Sequence, residues 1–155
     1  MITIAYTDRP HQRVREHRWD VFAGVAAAVL EGRERGYTSM VEDGRLERDE
    51  ADRRIAIMRA TIEIWSAAWA CRLPDPAVVG SSDRADILAE LTRAHGGTAR
   101  ALERDPGDPA AEHQLACLDE MIAIHRRFVD GPIFFVRLTH QLRKQREANN
   151  RKEVA

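Results

Sequence analysis

The sequence predicts an all-α protein: a bundle of four or five helices with a short N-terminal extended segment. Apolar residues recur at three- and four-residue steps through most of the chain, the spacing that lines one side of a helix. Proline and glycine clusters at 73–82, 105–109 and 130–132 cut those periodic stretches into helix-sized pieces. The chain has 155 residues, 44% apolar and 32% charged, with a net charge of -1, which suits one ordinary domain able to bury a core without disulfide staples.

Residues 2–6, Ile2-Thr3-Ile4-Ala5-Tyr6, alternate apolar and polar and predict one short edge strand or an extended arm. Pro10 permits a helix start, and Trp19, Phe22, Ala26 and Val29 place a first helix over 11–35. Gly44 can take positive φ and close a helical segment, with Tyr37 and Leu46 available to clamp the turn. Asp49 and Glu50 then sit in the first turn of a second helix, where carboxylates suit the dipole. Its stripe, Ile55, Met58, Ile62, Trp65 and Trp69, runs unbroken to about Arg72, where Leu73-Pro74-Asp75-Pro76 ends it.

A third helix begins near Asp83 with Ile87, Leu88 and Leu91 inward. It meets Gly96-Gly97, a pair that costs about 2 kcal/mol against alanine, so 98–104 is expected to be a loose continuation. Asp108 can cap a fourth helix with Pro109 in its first position, and Leu115, Leu118, Ile122 and Val129 form its stripe to 129, widened by Met121, Ile124 and Phe128. Asp130-Gly131-Pro132 is a break. The last helix, 132–149, packs through Phe135, Leu138 and Leu142. Residues 1–142 thus form a single helical domain, and 143–155 a basic, solvated helix end and tail.

Composition excludes several classes. Two cysteines, Cys71 and Cys117, build no disulfide framework or CxxC site and point to a reducing, cytoplasmic setting. The N-terminus lacks the charged-then-apolar order of a signal peptide. The longest apolar run, Val25 to Leu30, falls short of the roughly 18 residues a bilayer requires. No Ser or Cys beside a His has nucleophile spacing, and Gly80-Ser81-Ser82 and Gly96-Gly97 lack the Lys-Ser/Thr ending of a phosphate loop. No enzyme activity and no cofactor are expected.

Charge is uneven along the chain. Residues 73–109 hold four Arg against seven acids, whereas 132–155 hold six Lys and Arg against two. Arg137, Arg143, Lys144, Arg146, Arg151 and Lys152 can touch phosphates, with Arg13, Arg15 and Arg18 adding to them. Against nucleic acid stand the slightly acidic total and the affinity of helix C-termini for cations. A helix-turn-helix over 34–60 is disfavoured, because Glu47, Asp49, Glu50 and Asp52 would repel phosphate at the reading end.

His113, Cys117 and Glu120 share a helix face and are weak candidates for a metal site that would need a further ligand. A capping or surface His113 and an inert buried Cys117 explain the same spacing. His125 occupies a stripe position and is either a pH-sensitive element or a core histidine with a hydrogen-bond partner. The second helix carries Ile57 and Ile64 beside its main stripe, so it is either central in the bundle or meets a second chain. Trp65, Trp69, Ile57 and Ile64 are the interface candidates.

The stretch Arg35-Gly36-Tyr37-Thr38-Ser39-Met40-Val41-Glu42-Asp43-Gly44-Arg45-Leu46, followed by Ala51-Asp52-Arg53-Arg54-Ile55-Ala56-Ile57-Met58, resembles small helical proteins of phages and prophages. The resemblance covers about residues 34–60. It implies a helical hairpin and a mobile-element origin and supplies no catalytic residues. The leading expectation is a non-enzymatic protein-interaction protein, an adaptor or an inhibitor of a host system, self-associating and without a membrane role. The alternative is a nucleic-acid-associated regulator using the basic C-terminal helix, and a third option is a metal-dependent helical-bundle enzyme.

Overall fold

The computed structural model describes residues 19–155, and over them the protein is all-helical. Six helices follow in order: α1 (Trp19–Glu42), α2 (Arg48–Trp69), α3 (Pro76–Val79), α4 (Arg84–Arg104), α5 (Pro109–Arg127) and α6 (Ile133–Val154). The strand or arm expected at 2–6, the start of the first helix at 11 and the Arg13-Arg15-Arg18 cluster lie outside the described residues. No strand occurs among those described.

α1 runs seven residues past its expected end at 35, because Tyr37 is buried and anchors the extra turns, with the Arg33 guanidinium 6.0 Å above its ring. The stop comes at Gly44, φ 72°, where the amides of Arg45 and Leu46 both donate to Met40 O. Only a residue tolerant of positive φ closes a helix this way at low cost. α2 ends at Trp69 through Cys71, φ 54°, whose neighbour Arg72 donates its amide to Ala67 O at 2.9 Å. The proline linker winds into one turn, α3, capped by Asp75, which accepts from the Ala77 amide at 2.9 Å.

α4 opens with a capping box in which Asp83 and Asp86 satisfy each other's amides. It passes through Gly96-Gly97 without a break, correcting the loose continuation expected over 98–104. Tertiary contacts override propensity here: Ala94 and Thr98 are buried on either side of the pair, and Gln114 Nε2 donates to Thr98 Oγ1 at 2.7 Å. A Cβ added at Gly96 or Gly97 would meet only the flexible Arg100 side chain within 4 Å, at 3.4 Å or more. The double variant Gly96→Ala/Gly97→Ala is therefore expected to stabilise the protein by about 1–2 kcal/mol, read as a higher urea midpoint at unchanged m-value.

α1 packs along α2 and α4 along α5. The two hairpins meet through α2 against α4 and α1 against α5, while α6 lies on α2. Trp65 stands at the centre, 0% exposed, with edge-to-face contacts to Trp19 at 5.9 Å and Phe22 at 5.2 Å. Fully buried Ala26, Ala60, Ala67 and Ala68 keep the packed backbones close. Glu90 is buried too and holds Arg33 and Arg93 in ion pairs. The buried carboxylate is tolerable because Arg33 pairs with it from inside and Arg93 reaches it from the surface.

These positions correct the interface assignment for the second helix. Trp65, Ile57 and Ile64 belong to the core, and Trp69 is half-buried against it. The wide apolar face exists because α1, α3, α4 and α6 all lie on α2, so the chain's own helices cover it. Val129, expected on the α5 stripe, is 75% exposed, because α5 ends at Arg127 and releases it.

Candidate basic site on the last helix

α6 begins where Asp130-Gly131-Pro132 turns the chain back: the Gly131 amide donates to Phe128 O at 3.0 Å and the Ile133 amide to Asp130 O at 3.2 Å. Gly131 has φ 57°, and a Cβ there would lie 2.5 Å from the ring of buried His125. Both the backbone conformation and the close approach require glycine. Beneath it Trp65 Nε1–H donates to His125 Nε2 at 3.1 Å. Burial, and then the Arg84 charge, lower the His125 pKa to about 4. Arg84 also donates to His125 O at 2.7 Å and to Arg126 O, tying off the C-terminal carbonyls of α5. His125 is thus a core histidine with a partner, held neutral near pH 7.

From that anchor α6 runs along α2 with Ile133, Val136 and Thr139 buried, a narrow stripe because it has a single large neighbour. His140 Nε2–H donates to Cys71 O at 3.0 Å, fixing the helix to the end of α2. Burial pushes the Cys71 thiol pKa up against the opposing influence of nearby Arg143. Leu138 and Phe134, 39% and 43% exposed, face outward, correcting the expectation that Leu138 packs inward. Phe134 stacks on Phe128 at 4.5 Å at the foot of the helix, and Val129, in the turn that precedes it, is exposed.

The basic residues lie on the same helix. A shallow cleft of about 320 Å³ is lined by Leu73, Arg137, His140, Gln141 and Lys144. Arg137 is steadied by Asp130 at 2.9 Å. The structure therefore brings Arg137 and Lys144 together on one face; Arg143 and Arg146 sit further round the helix. Leu142 is half-buried, and from Arg143 to Ala155 every residue is exposed. The helix continues to Val154 rather than stopping near 149, with no break at 142. His140, Gln141 and Leu73 were not singled out in the sequence. Of these, only His140 and Gln141 had a usable signal, their three- and four-residue spacing from Arg137 and Lys144.

The weak metal candidates are not gathered into a site. Cys117 Sγ lies 3.6 Å from His113 Nε2, and Glu120 is exposed. Among the described residues no group of three or more His, Cys, Asp or Glu side chains is placed to hold an ion. No described helix is long and apolar enough to cross a membrane. No protein-family model, curated protein or solved structure matches the chain, so the fold and the α6 site carry the functional argument.

Proposed function

We propose that this chain is a non-enzymatic binding protein of a phage, prophage or related mobile element. In this reading it works in the cytoplasm as an adaptor or an inhibitor of a host system, with α6 as its recognition element. The observation that carries the reading is the exposure of every residue of α6 beyond Leu142. A polar helical segment of that length is marginal by itself in water and gains most of its order from what it packs against. In this reading self-association falls to Phe134 and Leu138, exposed one turn apart on α6, since Trp65, Ile57 and Ile64 are enclosed.

Deleting residues 143–155 is expected to move the melting temperature by no more than about 2 °C, because the removed side chains are exposed and surface changes of this kind cost little. The labelled full chain should sediment in host extract as a heavier species, and the truncated chain should not. Identical sedimentation of the two would overturn the proposal. The mobile-element origin rests on the resemblance of residues 34–60. It predicts capsid, tail or immunity genes beside the coding sequence, and a neighbourhood of housekeeping genes would remove it.

A further inference from the structure

Beyond Leu142 the last helix offers a partner charge and amides and almost nothing apolar. Arg143, Lys144, Arg146, Arg151 and Lys152 stand against Glu147 and Glu153, with Gln145, Asn149 and Asn150 between them. Protein interfaces of useful affinity are built around desolvated aromatic or aliphatic anchors inside a polar rim. This segment has no such anchor before Val154. A phosphate backbone, by contrast, is held by cations and hydrogen bonds alone, and its displaced counterions supply the free energy.

The arrangement of the charges narrows the class. Arg137, Lys144 and Arg151 recur every seven residues, so they share one side of α6 at steps of roughly 10 Å, while Arg146 and Lys152 look to other sides. A helix charged on several sides fits a channel walled by phosphates on both flanks, and the major groove, about 12 Å wide, admits one α-helix. No aromatic residue follows Phe135. The exposed Phe134 at the foot of the helix is stacked on Phe128, so the segment that carries Lys144 and Arg151 has no stacking platform for unpaired bases. Residues 1–131 carry 18 Lys and Arg against 23 acids, so a duplex would be repelled by the body of the protein and attracted only to α6.

Resting on the reading of α6 as the recognition element, we propose that its partner is the sugar-phosphate backbone of duplex nucleic acid. The contacts run along the Arg137, Lys144 and Arg151 row, with Arg143, Arg146 and Lys152 at its flanks. Arg137 keeps its Asp130 partner and marks the foot of the contact, where the cleft begins.

The test is fluorescence anisotropy with the full chain and a labelled mixed-sequence duplex of about two helical turns, at about 50 and 200 mM NaCl. Binding near the micromolar range is expected at the lower salt, weakening by roughly 40- to 150-fold at the higher, the change that three or four neutralised phosphates dictate. Lys144→Glu/Arg151→Glu should lower affinity at least about tenfold. Arg35→Glu/Arg100→Glu makes the same change in net charge at exposed positions on α1 and α4 and should leave affinity within about twofold. Circular dichroism confirms that each variant is folded.

Absence of binding at the lower salt, or equal loss in both double variants, overturns the proposal. So does a single strand that binds as tightly as the duplex. If poly-glutamate of matched charge binds as tightly, the nucleic-acid assignment falls and α6 stands as a receptor for an acidic protein. If nothing binds and deletion of 143–155 also leaves sedimentation in extract unchanged, the reading of α6 falls with it.

Discussion

Trp65→Ala is expected to lower the free energy of unfolding by about 4 kcal/mol while leaving the association state of the folded chain unchanged. The ring is fully enclosed, meeting Trp19, Phe22 and His125 edge to face, and its indole N–H is the donor to His125 Nε2. Truncation leaves a cavity where α1, α2 and α5 meet that cannot close without moving α1 or α5. It also strips a buried acceptor of its donor, which adds to the cost. For a domain of this size the melting temperature should fall by roughly 10–15 °C. Trp69→Ala, at a half-buried position, should cost clearly less. Urea unfolding followed by circular dichroism gives the energies, and sedimentation at one concentration gives the assembly. A Trp65→Ala protein with near-native stability and weakened association would place this tryptophan at an interface and refute the core assignment.

The second large effect is acid destabilisation through His125. The imidazole accepts the Trp65 N–H at Nε2, so protonation there would set two N–H groups against each other inside the core. Burial comes first among the causes that lower its pKa to about 4, and the Arg84 guanidinium second. The unfolded chain, with an ordinary imidazole, binds a proton once the pH falls below about 6.5, while the folded chain does not. Stability from this group is therefore fully present above about pH 6.5, declines as the pH drops toward 4, and levels off below that. The full loss is about 3 kcal/mol. His125→Gln retains an acceptor without titrating in this range. The stability difference between the native protein and this variant should shift by about that amount between pH 7 and pH 4, in the direction that penalises the native protein at pH 4. Parallel pH curves for the two proteins would show that His125 is not held neutral by the fold.

Much of the architecture is local and so was readable from the chain. Gly44, the Pro74–Pro76 pair, Asp108-Pro109 and Asp130-Gly131-Pro132 each end or open a helix by constraints acting within a few residues: a fixed φ, a missing donor, a side-chain cap. The stripes of α1 and α5 were legible for the same reason, with Trp19, Phe22 and Ala26, and Leu118 and Ile122, all buried. The candidate site was half legible. Arg137, Arg143, Lys144 and Arg146 stood out as charge, but Leu73 entered the cleft only because α6 folds back over the end of α2.

What the sequence by itself determined is a set of helices, their stops and the basic character of the last one, since hydrogen bonds, caps and charge depend on neighbours along the chain. What only the tertiary structure decided is which sides of those helices are covered. Ile57, Ile64 and Trp65 looked like surplus apolar surface until several helices proved to converge on α2, and Leu138 looked like core until α6 proved to rest on little else than α2. Periodicity tells how wide an apolar face is; the number of helices packed around an axis, a property of the whole chain, decides whether that face meets protein or water.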